Sequence, residues 1–517
     1  MIRFFQFLTI SIMSVQLCAQ EGPNIIYILA DDMGTGDVKA YNKDCKFPTP
    51  HIDAMAAQGV KFTDAHTSSS VCTPTRYGIV TGRYSWRTSL KKGVTHGLTP
   101  HLIEDGRMTV ASYLKSKGYA TAAVGKWHLG MDWSSNDGKK LDKIGKNLDL
   151  NAAIKKGPNA FGFDYYYGIS ASLNMDPHAY IENTKILGDL VMVPNTSDVK
   201  KMLGSGGKAG WVDTNFKRDQ VMQTFTDKAV AWMKEQRKQS KKPFFLYFPL
   251  NAPHSPIVPS DRFKGKSNLS DHGDFCMDVD DTVGQIVAAV EAMGISDNTL
   301  IVFTADNGVS PQAKLQPMED QGHFSSYVYR GLKGTLYEGG HRVPFVVKWP
   351  KQIKKPFTTD YLSCTTDLLA TVVDIHGEQL PDNAGEDSVS FLPVLKGKKQ
   401  TDEDRKAIVH HSDAGHYALR KGKWKIIFDK GAGSRRKDPK DKPVLNPGPI
   451  QLFDMEKDKE ESTNLAQENP KVVEALSKLM GKLVADGRST EGTKQSYAPF
   501  EKSSDLKLLN PFSQYID

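Results

Sequence analysis

The sequence predicts an α/β fold: a large, mostly parallel sheet sandwiched by helices, with a smaller α+β domain at the C-terminus. Three observations predict it, namely long apolar runs, helical stretches between them, and a change of texture near residue 395. The apolar runs are residues 24–30, 119–125, 243–248 and 299–304. Runs that are apolar on both faces are typical of strands covered by helices on both sides.

Helical stretches separate these runs, the clearest over residues 109–117, 218–236 and 277–293. Strand–helix alternation favours a parallel sheet, in which ligands bind beyond the carboxyl ends of the strands. Polar residues follow every one of the four apolar runs, so we expect these residues to meet in one site. They are Asp31-Asp32, Lys126-Trp127-His128, Asn251-Ala252-Pro253-His254 and Asp306-Asn307.

The chain divides into three predicted regions: a leader over residues 1–19, the α/β domain over 20–395, and a smaller C-terminal domain over 396–517. The leader has the features of a signal peptide, because Arg3 precedes an apolar run too short to span a bilayer. Ala19 is a small residue suited to cleavage. We therefore expect export to the periplasm or the cell exterior.

Local amino-acid composition also distinguishes other parts of the chain. Residues 131–158 and 187–208 are rich in Gly, Asn, Lys and Asp, which indicates surface insertions near the rim of the site. After the charged linker 396–405 come short strand-like pieces and a helix predicted over residues 470–485.

Composition excludes several classes of protein. Of 517 residues, 39% are hydrophobic and 25% charged, as in ordinary globular proteins, which excludes a disordered, collagen-like or coiled-coil chain. A net charge of +7 gives a weak bias toward anionic partners such as sulfated or phosphorylated molecules. Because the positive charge forms no long block, nucleic acid is not expected as a partner. No run after the leader resembles a transmembrane helix, so we expect no stable membrane insertion.

Five cysteines occur, of which Cys18 lies in the leader. The other four are Cys45, Cys72, Cys276 and Cys364. Their scattered positions without CxxC spacing argue against a zinc ribbon or a disulfide scaffold. In an exported protein four thiols are enough for two disulfides, but the sequence around Cys72 argues that this one is unpaired.

Cys72 begins the most informative motif, Cys-Thr-Pro-Thr-Arg over residues 72–76, followed by Thr-Gly-Arg at 81–83. The motif predicts a thiol just before a helix started by Pro74, where backbone N–H groups favour an anion. Arg76 follows one helical turn later, so its side chain lies on the same face of the helix as Cys72 and can reach the same site. The commoner role of a lone cysteine is structural.

These residues resemble the signature of the sulfatase family, in which a C-x-P-x-R cysteine is converted to formylglycine and the hydrated aldehyde is the nucleophile. Thr75 stands where the family most often has serine, and it keeps the hydroxyl. The resemblance extends over most of the chain after the leader. It implies an alkaline-phosphatase-like fold, sulfatase activity, and a maturation enzyme that makes formylglycine from Cys72.

Oxygen donors dominate the strand-end clusters. Asp31-Asp32 alone, or Asp306-Asn307 alone, has a plain structural explanation as a cap of the following turn. Together they suit a hard divalent cation, and ligand type alone leaves Mg²⁺ open. The sulfatase resemblance implies Ca²⁺, held by Asp31, Asp32, Asp306 and Asn307 alongside the formylglycine at Cys72.

Basic residues complete the expected catalytic centre. Residues 125–130, Gly-Lys-Trp-His-Leu-Gly, match a family motif in which Lys126 holds the nucleophile and a sulfate oxygen. The resemblance implies that His128 takes the proton whose loss expels sulfate. It implies that His254 protonates the leaving oxygen as general acid.

Arg76 and Lys333 add positive charge to the expected site. Lys333 precedes a glycine-rich stretch and matches a family lysine that binds sulfate and steadies the leaving group. With the cation and Lys126, these side chains neutralise the anionic ester before attack.

We expect a sulfated carbohydrate as the substrate, because the leader, the basic balance and the polar insertions favour a polar extracellular molecule. Ser172 matches a family serine that contacts sulfate. Asp176 and His178 follow closely and carry groups that bond sugar hydroxyls, although a loop shaped by Pro177 explains them equally well.

Two other functions remain open at this point. A phosphatase or phosphonate monoester hydrolase of the same superfamily shares the acidic strand ends, but few histidines accompany them here, which disfavours a two-zinc site. A non-catalytic protein that binds sulfated glycans would need neither His128 nor His254.

Overall fold

The computed structural model describes residues 22–240, 242–399, 401, 404–436 and 442–516, so the predicted leader 1–19 lies outside the described residues. The strands in this part of the chain are β1 (Asn24–Ala30), β2 (Val60–Phe62), β3 (Ala65–His66), β4 (Ala120–Lys126), β5 (Tyr165–Ile169), β6 (Ile181–Glu182), β7 (Lys185–Ile186), β8 (Leu190–Val193), β9 (Gly210–Asp213), β10 (Phe244–Pro249), β11 (Thr299–Ala305), β12 (Phe345–Lys348), β13 (Phe357–Thr359), β14 (Ser363–Cys364), β15 (Ile408–His411), β16 (Tyr417–Lys421), β17 (Trp424–Ile427) and β18 (Gln451–Asp454).

The α-helices follow the same chain order. They are α1 (Pro50–Gln58), α2 (Cys72–Thr81), α3 (Val110–Ser116), α4 (Thr196–Leu203), α5 (Val221–Gln239), α6 (Asp271–Ala292), α7 (Leu315–Glu319), α8 (Glu338–His341), α9 (Leu368–Ile375), α10 (Leu392–Leu395), α11 (Pro470–Ala485) and α12 (Ser503–Leu506). Helix α6 begins six residues before its predicted start, because the Ser270 side chain accepts a hydrogen bond from the Gly273 amide and caps the helix there. The insertion 187–208 also holds regular structure, namely β8 and α4.

The main sheet has ten strands in the order β13-β2-β12-β11-β1-β10-β4-β5-β6-β7. Its centre is parallel: β1 pairs with β10 and β11, and β4 pairs with β10 and β5. β12 joins the sheet antiparallel to β11. The predicted α/β class with a large, mostly parallel sheet is confirmed.

Helices cover both faces of this sheet. On one face, α2 packs Tyr77, Ile79 and Val80 against inward side chains of β1 and β10. On the other face, α5 and α6 contribute apolar side chains at helical spacing, among them Phe225 and Val279. The strands are therefore buried on both sides, which explains their continuous apolar sequences.

A second sheet lies toward the C-terminus. It is antiparallel, in the order β15-β16-β17-β18, and α11 packs on it. Tyr84 and Trp86, which follow α2 in the chain, share this second core. The predicted smaller α+β domain is therefore present, while the exact boundary near residue 395 stays a prediction.

The four described cysteines are all free and buried, so the two disulfides open to an exported chain are not formed. Among the described residues, no helix is both long and apolar enough to cross a membrane.

A buried histidine of the second sheet is expected to make stability depend on pH. His411 in β15 is 1% exposed, its Nε2 lies 2.7 Å from the Lys91 carbonyl oxygen, and burial lowers its pKa to about 4. In the unfolded chain a histidine binds its proton near pH 6.5. The unfolded state thus gains protons that the folded state excludes, and stability falls as the pH falls.

We expect His411 alone to lower the free energy of unfolding by about 3 kcal/mol between pH 6.5 and pH 4. Urea unfolding across this range measures the change. His411→Gln keeps a donor for the Lys91 carbonyl and should flatten the pH dependence. An identical slope in the variant and the wild type would show that His411 is not responsible.

Candidate active site

The side chains expected to form a site come together at the carboxyl edge of the main sheet. The four strands that carry them are neighbours, in the order β11-β1-β10-β4. The amide of Asp31 donates to the Ala252 carbonyl over 2.8 Å, and the amide of Asp306 donates to the Ala30 carbonyl over 3.0 Å. The polar clusters after these strands are therefore held at one level.

Cys72 is the first residue of α2, after Val71 in extended conformation, and it is 1% exposed. The Lys333 ammonium donates to its Sγ over 3.3 Å. Burial raises the pKa of the Cys72 thiol, but the charges of Lys126 and Lys333 outweigh burial and bring it to about 6. The position therefore favours an anionic group, as the start of a helix does in general.

Arg76 lies one turn further along α2 and is fully buried. Its Nε and Nη2 both donate to Asp306 Oδ2, over 3.0 and 2.8 Å, and its Nη1 donates to the Lys126 carbonyl over 2.9 Å. One guanidinium thus fixes the ends of β11 and β4 to the helix that carries Cys72.

Lys126 ends β4, and its Nζ donates to Asp31 Oδ2 over 2.5 Å. The preceding Gly125 has φ +131°, and a Cβ there would lie 2.0 Å from the Pro249 carbonyl oxygen. Only glycine allows this close approach of β4 to β10, which brings Lys126 to the site. Burial raises the pKa of Asp31, yet the charges of Lys126, Arg76 and Lys333 hold it well below its usual range.

Three buried side-chain oxygens on the segments after β1 and β11 have no hydrogen-bond partner among the described residues: Asp31 Oδ1, Asp32 Oδ2 and Asn307 Oδ1. Each residue's other polar side-chain atom is engaged, for example Asn307 Nδ2 donating to Asp32 Oδ1 over 2.8 Å. Unpartnered buried oxygens are costly unless a cation or donor meets them. This donor set fits a hard divalent cation.

Lys333 reaches the site from the loop before α8. Its Nζ donates to Asp32 Oδ1 as well as to Cys72 Sγ. Two backbone bonds fix the loop: the Lys333 amide donates to the Val309 carbonyl over 2.9 Å, and the Gly334 amide to the Ser70 carbonyl over 2.8 Å. The lysine is 2% exposed, so its charge acts in a confined volume.

The two expected catalytic histidines differ in environment. His128 is buried, its Nε2 lies 2.9 Å from the Thr95 carbonyl, and its Nδ1 has no partner in the part of the chain described. Burial, with Lys126 and Arg76, holds the pKa of His128 well below its usual range, so the ring is neutral. His254 is more exposed, and its Nε2 lies 3.8 Å from Asp32 Oδ2.

The expected substrate-binding residues lie on the segment after β5. Ser172 is buried, and its Oγ has no partner among the described residues. Asp176 is partly exposed with Oδ2 unpartnered, and burial raises its pKa to about 6. His178 is 2% exposed and its Nε2 bonds the Lys208 carbonyl over 2.9 Å, so this ring supports the loop and does not present Nε2 to a sugar.

Asn251 is a residue whose importance the sequence analysis did not single out within its motif. It is 2% exposed, and neither Oδ1 nor Nδ2 has a partner in the described structure. Its place as the first strongly polar residue after the apolar run 243–250 is the sequence signal that marks it.

The fold and the arrangement of these side chains define a hydrolase of anionic esters. The sulfatase family model matches residues 23–378, and the model of the C-terminal region of N-sulphoglucosamine sulphohydrolase matches residues 332–487. An N-acetylgalactosamine-6-O-sulfatase of Bacteroides thetaiotaomicron is 33% identical, covering 89% of this chain and 92% of the relative. Human arylsulfatase A is 30% identical, with 90% and 88% covered.

Solved structures of other proteins are similar to this chain in fold. A Bacteroides thetaiotaomicron protein, described with the metabolism of multiple glycosaminoglycans, is 31% identical with a TM-score of 0.77, covering 90% of this chain and 99% of that one. The phosphonate monoester hydrolase of Agrobacterium radiobacter is 17% identical with a TM-score of 0.56, over 92% and 100%, and shares the fold alone. The chain belongs to the sulfatase family and is a sulfuric ester hydrolase.

Proposed function

We propose that this sulfatase removes a sulfate ester from a sulfated carbohydrate, using a formylglycine made from Cys72 and a bound Ca²⁺. The observation that carries the proposal is the position of Cys72, at a helix start and in contact with Lys333, beside a set of unpartnered carboxylate and amide oxygens. A purely structural cysteine would not require these anion-binding and cation-binding groups around it.

Asp31, Asp32, Asp306 and Asn307 would hold the cation, together with the residue at position 72. When present, the cation supplies a Lewis acid for sulfate oxygens, and the hydrated formylglycine supplies a hydroxyl nucleophile. Lys126 and Lys333 bind sulfate oxygens, because their ammonium groups lie within the same buried site, one on Asp31 and the other on Cys72. Arg76 keeps Asp306 in place and adds a third positive charge.

Two histidines handle protons in this proposal. His254 donates a proton from Nε2 to the departing alcohol oxygen, which its position near Asp32 and its partial exposure to solvent support. His128 accepts a proton at Nδ1, the nitrogen left without a partner while Nε2 bonds the Thr95 carbonyl. Its low pKa keeps it neutral and ready to act as a base.

Amino sugars sulfated at O6 are the first substrates to test, because the Bacteroides thetaiotaomicron relative is named for N-acetylgalactosamine-6-O-sulfate. Turnover of a panel of sugar sulfates with defined positions, alongside phosphate and phosphonate monoesters, tests the proposal. We expect sulfate release from at least one sugar sulfate. Preference for a phosphorus ester would instead favour the phosphatase alternative.

Export through the leader 1–19 and maturation by a formylglycine-generating enzyme belong to the same proposal. The apolar run after Arg3 supports export to the periplasm or cell exterior. The Cys-Thr-Pro-Thr-Arg motif supports recognition by the maturation enzyme.

Asp176→Ala should separate sugar recognition from sulfate chemistry. We expect kcat/KM to fall roughly tenfold to a hundredfold for the sugar sulfate, because one hydrogen bond from a sugar hydroxyl to a charged group is lost. An activated aryl sulfate, which has no such hydroxyl, should be turned over almost as before.

Asp227→Ala on α5 is the matched control, because Asp227 is exposed and α5 packs on the opposite face of the sheet from α2, which carries Cys72. His178→Ala should lower both activities together, since His178 supports the loop from inside. Equal losses on both substrates with Asp176→Ala would assign Asp176 to support of the catalytic centre.

A further inference from the structure

Asn251 is a buried polar side chain at the sheet edge that has no role in the proposed reaction so far. Its amide oxygen and amide nitrogen are both buried and lack partners among the described residues. A side chain amide with neither group bonded is unusual in a protein interior. It therefore marks a place where something outside the chain completes the hydrogen bonds.

The position of Asn251 in the sheet shows what it faces. The Leu250 amide donates to the Leu29 carbonyl and the Asp31 amide to the Ala252 carbonyl, so Asn251 lies beside the end of β1, between the levels of Leu29 and Asp31. Because β1 and β10 pair at the usual spacing of about 4.8 Å, Asn251 lies next to the segment that carries Asp31.

Side-chain alternation gives the direction of the amide. Leu250 and Ala252 belong to the core on the side of α5 and α6. Tyr247 belongs to the core on the side of α2. Because successive side chains of an extended strand point to opposite faces, Asn251 points to the α2 side, where Arg76 lies.

The cation is a poor candidate for the missing partner. The unpartnered oxygens that fit it come from the ends of β1 and β11. Asn251 lies on the opposite side of β1, between β1 and β4, where the Lys126 side chain enters the site. A group next to Lys126 and Arg76 suits an anion, and an amide N–H donates to an anion without adding charge.

We propose that Asn251 is a further residue of the sulfate-binding site, donating from Nδ2 to an oxygen of the sulfate ester. The inference rests on the proposed sulfatase function, and it adds a neutral donor to the charged groups already described. Lys126 and Arg76 already donate to the carboxylates of Asp31 and Asp306, so part of their positive charge is neutralised within the chain. The Asn251 amide has no such partner, and its N–H remains available to a sulfate oxygen.

The test measures binding of inorganic sulfate to the matured, calcium-loaded enzyme by titration calorimetry. Asn251→Ala should weaken sulfate binding roughly tenfold to a hundredfold, the usual worth of a hydrogen bond to a charged group. Asn251→Asp has the same shape but replaces the donor by an anion, so it should bind sulfate more weakly than the alanine variant. Affinity for Ca²⁺ should stay close to the wild-type value in Asn251→Ala.

Tyr27→Phe is the matched control. Tyr27 Oη is also buried without a partner among the described residues, and it lies four residues before Asp31 on the same face of β1. At about 3.3 Å per residue this is roughly 13 Å from the edge, so sulfate binding should not change.

Two results would overturn the inference: sulfate affinity close to wild type in both Asn251 variants, or loss of Ca²⁺ affinity with sulfate affinity kept. The proposed function fails separately, if the wild-type enzyme releases sulfate from no ester. Sulfate affinity and turnover are distinct measurements, so the two failures are told apart.

Discussion

Replacing Cys72 by alanine is expected to lower kcat by roughly 10⁴-fold or more, the effect of removing a nucleophile on which the other groups act. Alanine leaves no atom from which the nucleophile can be made. The helix start, Lys333 and the carboxylates remain in place, so the protein should fold as the wild type does. Steady-state kinetics on a sugar sulfate, with circular dichroism of both proteins, measures this.

Cys45→Ala is the control for removal of a buried thiol. Cys45 is buried and free, and its Sγ contacts only the nearby Phe47 carbonyl among the hydrogen bonds described. This variant should keep its activity. Full activity of Cys72→Ala would contradict the sulfatase mechanism as a whole.

Removing the cation should have the second largest effect. A strong chelator is expected to abolish turnover and to lower the melting temperature, because a ligand bound only by the folded state stabilises it by about 2.7 kcal/mol at a hundred times its Kd. The physical reason is the set of buried oxygens on Asp31, Asp32 and Asn307 that lack partners within the described chain.

Calcium should restore both the melting temperature and the activity, and Mg²⁺ tests the alternative that ligand type leaves open. Asn307→Leu removes one oxygen ligand of the cation and should weaken Ca²⁺ binding in a direct titration. Asp227→Asn on the surface of α5 should leave Ca²⁺ binding unchanged. Recovery with Zn²⁺ but not with Ca²⁺ would contradict the assignment of a hard cation.

Much of the fold could be predicted from the sequence. Strand β1 and helix α11 have their predicted bounds, because an unbroken apolar run and a Pro-started amphipathic stretch are strong local signals. The meeting of Asp31, Lys126 and Asp306 could also be predicted, since parallel strands end at one edge of a sheet.

Side-chain orientation could not be predicted, because it depends on neighbours distant in sequence. For example, His178 Nε2 bonds the carbonyl of Lys208, thirty residues later in the chain, while its Nδ1 has no partner among the described residues. Its contact with a sugar stays a prediction. That Asn251 Oδ1 and Nδ2 lack hydrogen-bond partners among the described residues could be seen only in the structure, where β10 lies between β1 and β4. The start of α6 depended on one capping serine.

Peptide mass spectrometry of the active enzyme tests the central claim most directly. In protein that releases sulfate, the peptide containing residues 72–76 should carry an aldehyde or its hydrate in place of the Cys72 thiol. Peptides containing Cys276 and Cys364 serve as internal controls and should keep their thiols. Full sulfatase activity in a preparation whose Cys72 is entirely an unmodified thiol would contradict the account.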